Sequence, residues 1–517
     1  MRRIATLILV VLMLISSAAA ESSKPDYILE GYDGDATNRV WETNAFFTRM
    51  AEKTGTGIRF QFRQADSYAD WKERKEKIAA GENLPDVLFK AELTTQEIRK
   101  MYRDGILINL CEYNLEKNAP HLWALLEEKP EWKAAITLEN GAIPALPSFN
   151  PLQDNDYMWI NTRWLNAIRM EMPGTAEELK TVLRKFRDED PNGNGKADEV
   201  PLTFLSMWEL RFLAHAFGII DNDYYVSVQD GKVVSSLTSE ENRAFLTWLH
   251  ELWEEKLLDQ KGFNNTDSLR KIRDTEPGKN PYGMIMSSSP LTVVPAELLP
   301  SYSILMPLQY NGQQIYRDLT GDVIRGTFAI TSACEDPETM LRWVDYLYTE
   351  EGALLAEYGL EGEEYSWNER GYWEWNRGKE SIATSIFPDK VIDSGNQTTR
   401  LILNEYSMSI GNAVPGIVPV DFQTKYDTDG IRQIVTAMNE FRTYCQLSFP
   451  YVMLTEEDAA ALAKIQSGLM YYAEETMACF VTGDLELNDE NWRIFCDTIH
   501  DKGLDDAIAI WQKYIKE

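Results

Sequence analysis

The chain has 517 residues, 44% hydrophobic and 26% charged, with 51 Lys+Arg against 82 Asp+Glu. That length and apolar content describe a globular protein of more than one lobe and exclude intrinsic disorder and collagen-like repeats. The net charge of −31 argues against nucleic-acid partners and against a basic membrane-surface role, because both need clustered Lys and Arg.

Arg2 and Arg3 precede an apolar run from Ile4 to Ile15, and Ala18-Ala19-Ala20 offers a small-x-small cleavage site. The pattern predicts a signal peptide over 1–20 and a mature chain outside the cytoplasm, since twelve apolar residues are too few to cross about 30 Å of hydrocarbon. The first cysteine is Cys111, so no cysteine near the cut is available for lipidation. Five cysteines leave at least one thiol unpaired within the chain; small buried thiols are the simplest reading, with one disulfide in the C-terminal third as the alternative.

Asp26–Glu30, Ile58–Phe62 and Val87–Phe89 read as strands separated by helical stretches near Thr43–Thr54 and Ser67–Ala80. This alternation predicts a parallel, right-handed α/β layer. A second block opens at Tyr157–Asn161. Pro173-Gly174-Thr175 announces its clearest helix, with Thr175 and Glu178 spaced as a capping box and Leu179, Val182, Leu183 and Phe186 as one core-facing stripe. Strands are expected again at Tyr282–Met286, Tyr302–Met306 and Thr327–Thr331. The end is helical, with one helix starting at Thr455-x-x-Asp458 and Gly503 separating two more. No Pro/Gly-rich linker divides the chain, which predicts interleaved lobes.

Between Asp188 and Glu199 oxygen-bearing side chains alternate with glycines, as a calcium ion with six to eight oxygen ligands requires. Two registers fit. With Asp188 at loop position 1, Gly193 is the turn and Glu199 the twelfth residue, but Lys196 falls at a ligand position. With Asp190 first, Asn192, Asn194, the Lys196 carbonyl and Asp198 follow, Gly195 makes the turn, and Glu199 closes the shell from an irregular place. The second register turns the ammonium outward and is preferred, with affinity on the order of 10⁻⁴ M. The competing reading is a metal-free Asx-rich turn.

Trp159–Leu165, Pro173-Gly174-Thr175 with Glu178-Leu179, and Asp190–Gly195 with Asp198–Pro201 together resemble the family 1 extracellular solute-binding proteins, most closely the branch with the alginate-oligosaccharide binders. Gly81–Asp86, Asn140–Pro147, Cys334 with Asp336-Pro337-Glu338, Tyr358–Gly362 and Thr482–Asp484 agree in order, so the likeness covers nearly the whole mature chain.

The resemblance implies an α/β, two-lobed periplasmic-binding-protein-like (type II) clamp with interleaved lobes and a mostly helical C-terminal region. It implies a non-catalytic component that captures an oligosaccharide between the lobes and hands it to an ABC transporter permease, as a monomer, with structural calcium held by Asp190, Asn192, Asn194, Lys196, Asp198 and Glu199. The expected division is 21–147 in lobe 1, 148–282 in lobe 2 with the calcium loop at 188–201, 283–333 returning to lobe 1, and 334–517 in lobe 2 and the C-terminal helices. Hinges are expected near Leu146–Pro151, Tyr282 and Ile330–Cys334.

Sugars lay C–H faces on aromatic rings while their hydroxyls meet polar side chains. Fifteen tryptophans and the aromatic-polar run Tyr365–Trp375 therefore nominate Trp159, Trp208, Trp367 and Trp373, with Arg325 for an acidic sugar. Trp248, Trp253, Trp343, Trp492 and Trp511 follow helical spacing and read as packing. The competing functions are a secreted glycoside hydrolase, which needs two paired carboxylates, and a solute-sensing receptor for a membrane kinase.

Overall fold

A computed structural model describes residues 26–515 apart from 35–36, 151–156, 266–280, 288–289, 291–292, 295, 319–322, 377–404, 410 and 426–428. The expected export signal and Pro151 of the first expected hinge lie outside the described residues.

Lobe 1 is built on a six-stranded sheet. From one edge to the other its strands are Gly416–Ile417, Ala145–Phe149, Val323–Ile330, Val87–Phe89, Asp26–Gly31 and Arg59–Gln64. The alternation of Phe60 and Phe62 with Arg59, Gln61 and Arg63 is that of an edge strand, and it pairs in parallel with Asp26–Gly31, where Tyr27 and Leu29 are buried. All these strands are parallel except Val323–Ile330, which inserts antiparallel between Val87–Phe89 and Ala145–Phe149. Its ladder slips between Ile324 and Phe328. Gly326 sits in that irregularity at φ +66°, where a Cβ would meet the Leu93 carbonyl oxygen at 2.4 Å.

Lobe 2 holds a four-stranded sheet in the order Tyr302–Ile304, Tyr157–Asn161, Tyr282–Ser287, Val200–Thr203. Helix Ala176–Asp188 buries the predicted Leu179, Val182, Leu183 and Phe186 stripe against it. Thr175 caps this helix by accepting from Glu178 N at 3.2 Å, while the Glu178 carboxylate accepts from Gly174 N at 2.8 Å rather than from Thr175 itself. The C-terminal helices Glu456–Thr482 and Asp489–Asp501 add Leu469, Ala473, Met477, Phe480, Trp492 and Phe495 to the same core. Among the described residues no helix is long and apolar enough to cross a membrane.

The division of the chain differs from expectation in its second half. Strands Tyr282–Ser287 and Tyr302–Ile304 belong to the lobe 2 sheet, so the described residues between 283 and 318 do not return to lobe 1. Residues Met340–Ala356 and Met408 pack in the lobe 1 core with Phe46, Phe89 and Phe328, so the described residues between 334 and 425 are not part of lobe 2. The chain passes between lobes after Asn150, after Asp318 and after Lys425. Tyr282 is buried within a central strand, and Ile330–Cys334 lies inside lobe 1; neither is a hinge. All five cysteines are free, with Cys334 buried and the other four half-buried.

Candidate functional site

In lobe 1 the carboxyl ends of five parallel strands face one side; from that side the chain runs toward lobe 2 beyond Phe149 and, through helix Val420–Gln423, beyond Ile417, and it comes back at Val323. In lobe 2 the carboxyl end of Tyr282–Ser287 pairs with Tyr157, just past the first crossing. The carboxyl ends of the two sheets therefore face each other across the crossings, which is where open α/β sheets bind ligands.

A cavity of about 470 Å³ opens there, walled by Thr94, Gln96 and Arg325 from lobe 1 and by Asp223, Tyr224 and Trp511 from lobe 2. The segment Phe449–Val452 closes it from a third side. Tyr451 packs into the lobe 1 core, whereas Phe449 packs on Trp511 with ring centroids 5.1 Å apart, so this segment touches both lobes. The cavity combines rings with hydroxyl, amide, carboxylate and guanidinium groups, as carbohydrate sites do.

Arg325 lies on the cavity wall. Its Nε donates to the Ala135 carbonyl at 2.6 Å and its guanidinium stands 6.0 Å from the Tyr451 ring centroid. Trp208 follows the carboxyl end of strand Val200–Thr203, is 39% exposed, and lies 5.9 Å from the Arg317 guanidinium, which pairs with Asp223 at 3.5 Å; it is not among the residues walling the cavity. Trp367 is 39% exposed on the hairpin Tyr365–Trp375, its ring edge on Phe422; it is not among the residues walling the cavity.

Trp159 and Trp373 are corrections. Trp159 is 0% exposed in the central lobe 2 sheet, and its indole N–H donates to Ser287 O at 2.9 Å. Trp373 is 0% exposed, stacked on Phe422 with centroids 4.5 Å apart and bonded through its indole N–H to Phe422 O. Both rings pack, and their polar edges are spent on backbone.

Tyr224, Asp223, Thr94, Gln96 and Tyr451 were not anticipated. Tyr224 and Asp223 stand in the Asp221-Asn222-Asp223 turn, and such a turn in a sequence signals only a loop. Trp511, read as packing, does pack on Phe449 and Tyr224 but also backs the cavity.

The Asp190–Glu199 loop curls around the Asp190 and Asp198 carboxylates. Asp190 has φ +47°, with Gly193 and Gly195 also in the left-handed region. Its carboxylate accepts from Asn194 N at 3.1 Å and Gly195 N at 3.0 Å. Asn192 and Asn194 both donate side-chain N–H to Asp198, at 3.1 and 2.9 Å. Asp188 instead faces Arg187 at 2.7 Å on the helix end, away from this ring. Glu199 has a buried Oε1 without a hydrogen-bond partner, and its carboxyl is held above the usual range by burial and then by the charges of Asp190 and Asp198. A cation would answer that convergence of carboxylates. Among the described residues no three Asp, Glu, His or Cys side chains already stand at metal-holding distances. The amides of Asn192 and Asn194 occupy part of the ring, and these are oxygen ligands once turned over.

Two lobes joined by three crossings, with strand ends facing over an aromatic and polar cavity, define a solute-binding protein fold. No protein-family model matches the chain. The fructooligosaccharide ABC transporter substrate-binding protein FusA of Streptococcus pneumoniae serotype 4 is 27% identical over an alignment of 533 residues, covering 95% of this chain and 93% of FusA. An HMO-binding, ABC-transporter-associated solute-binding protein from Bifidobacterium longum infantis ATCC 15697 shares the fold with a TM-score of 0.74 at 20% identity, covering 95% of this chain and 98% of that one. The alginate-binding protein AlgQ2, in a structure without calcium ion, matches with a TM-score of 0.64 at 18% identity over 96% of this chain and 99% of its own. The relatives of this chain are thus ABC transporter substrate-binding proteins, as the sequence resemblance implied.

Proposed function

We propose that this chain is the exported solute-binding component of an ABC importer, which captures an oligosaccharide between its lobes and delivers it to the permease unchanged, as a monomer. The observation that carries this is the cavity walled by both lobes at the facing strand ends, in a chain related to FusA along almost its whole length. Arg325 and Trp208 line or flank the ligand; Trp367 serves on the neighbouring hairpin. The signal peptide directs export and is removed after Ala20.

Calcium is its structural cofactor. Asp190, Asp198 and Glu199 supply charge, Asn192 and Asn194 turn their amide oxygens inward, and the Lys196 carbonyl completes the ring. The buried, partnerless Glu199 oxygen, whose carboxyl is held up by burial and by the charges of Asp190 and Asp198, supports this reading.

The test is a thermal-shift screen against mono- and oligosaccharides, uronates included, with calcium present, followed by chromatography of each stabilising sugar after long incubation. Stabilisation with full recovery of intact sugar is expected. Hydrolysis products would replace this reading with the glycoside hydrolase, and a panel without any shift would remove carbohydrate as the ligand.

A further inference from the structure

The turn Asp221–Tyr225 is held far more rigidly than a surface loop needs. Asn222 accepts through its side-chain oxygen from Tyr224 N at 2.9 Å and Val226 N at 3.2 Å, and its own N–H donates to Val226 O at 3.0 Å. Beneath it the buried Arg211 donates to Asp221 at 3.1 Å and to the Asn222 carbonyl at 2.8 Å, with its guanidinium 3.6 Å from the Tyr225 ring centroid. Ser236 bonds the other Asp221 oxygen. Tyr225 is thereby kept at φ +56°, a conformation that a bulky residue adopts only when its surroundings impose it.

This turn lines the cavity with Asn222, the Asp223 carboxylate and the Tyr224 ring. Tyr224 is 43% exposed and is backed by Trp511, with centroids 5.4 Å apart. Asp223 is oriented by Arg317, itself buried against Trp208. A fixed ring with a fixed carboxylate beside it is the arrangement that takes a sugar's C–H face and its edge hydroxyls together, and rigidity lowers the entropy lost on binding. Burial, and then the Asp223 charge, hold the Tyr224 hydroxyl above its usual range, so it stays protonated.

We propose, resting on the reading above, that Asp223 and Tyr224 are the specificity-determining pair of the cleft, with Trp511 positioning Tyr224, and that the ligand they select is an uncharged oligosaccharide rather than a uronate. Among the described residues walling the cavity, Arg325 is the one cation and Asp223 the one anion; the remainder are neutral. Arg325 already serves the Ala135 carbonyl through Nε. A uronate chain brings a carboxylate on every ring and needs a cation for each, and it approaches a protein carrying −31.

The experiment is calorimetric titration of wild type, Tyr224→Ala, Tyr224→Phe and Asp223→Asn with kestose, nystose, maltotriose and trigalacturonate. A neutral sugar should bind wild type. Tyr224→Ala should weaken it about tenfold, Tyr224→Phe should stay within about twofold, and Asp223→Asn should lose about tenfold or more. Wild-type affinity in Tyr224→Ala, or trigalacturonate binding tighter than the neutral sugars, would overturn this proposal while leaving an oligosaccharide binder. Wild type silent toward all four probes would overturn the proposal together with the choice of oligosaccharide as ligand.

Discussion

His215 is enclosed in lobe 2, with Nδ1 2.7 Å from the Phe212 carbonyl and Nε2 accepting from Leu308 N at 2.9 Å. Only the neutral ring with its proton on Nδ1 satisfies both partners. Burial, with Arg317 also disfavouring charge, pushes its pKa down to about 4. The unfolded chain takes up the proton near pH 6.5, the folded chain only near 4, so the unfolded state binds more protons in that window and His215 withdraws stability as pH falls through it. In ¹³C-histidine NMR one of the four imidazoles should remain neutral until about pH 4, and it should be the resonance missing in His215→Gln. If that signal titrates near 6.5, the ring is open to water. Nothing in Ala214-His215-Ala216 distinguishes this histidine from a surface one; its environment comes from Leu308, 93 residues further along the chain.

At the level of elements, local signals carried well. The strands at 26–31, 59–64 and 87–89, the helix beginning at Ala176 and the helix beginning at Glu456 all fall within a few residues of where periodicity and capping place them. So does the Asp190–Glu199 loop, because its glycines and Asx residues act on their own neighbours. If calcium binds it at about 10⁻⁴ M, then 10 mM calcium is about 100-fold above Kd and stabilises lobe 2 by about 2.7 kcal/mol. For a unit of this size the melting temperature should rise by about 5–10 °C over an EDTA control, and Asp190→Ala should abolish the increment. Equal melting curves with calcium and with EDTA would leave a metal-free Asx turn. The aromatic residues were less legible. Trp159 and Trp208 both lie in or just beyond strands of the same sheet, yet one indole is sealed by Ser287 and the other is 39% exposed. Which face a ring occupies depends on the sheet laid against it, and that sheet is assembled from residues more than a hundred positions apart.

Over the whole molecule, the division into lobes was the hardest thing to anticipate, and Val323–Ile330 shows why. It is locally an ordinary buried strand, but it is inserted antiparallel between strands from residues 87–89 and 145–149, and this non-local pairing is followed by Met340–Ala356 and Met408 in the lobe 1 core.

The same non-local logic supplies a link between the lobes beyond the three crossings. After Ser448, whose carbonyl accepts from Val228 N of lobe 2 at 2.9 Å, the chain passes over the cavity to Met453, whose carbonyl accepts from Arg99 of lobe 1 at 2.5 Å. Arg99 is nearly buried and is anchored in turn by Glu139 at 2.7 Å. Phe449, Val452 and Leu454 pack with lobe 2, while Tyr451 and Met453 pack with lobe 1. Any change of angle between the lobes must therefore slide this strap or break its bond to Arg99, and a ligand in the cavity lies against it. Arg99→Met keeps much of the side-chain volume and deletes the bond, so small-angle scattering of that variant without sugar should give a larger radius of gyration than wild type. A stabilising sugar should compact both proteins toward one profile, because closure needs only a ligand that prefers the closed state. Superimposable ligand-free profiles would mean that the three crossings alone set the angle, and profiles unmoved by a bound sugar would mean that the lobes do not close on it.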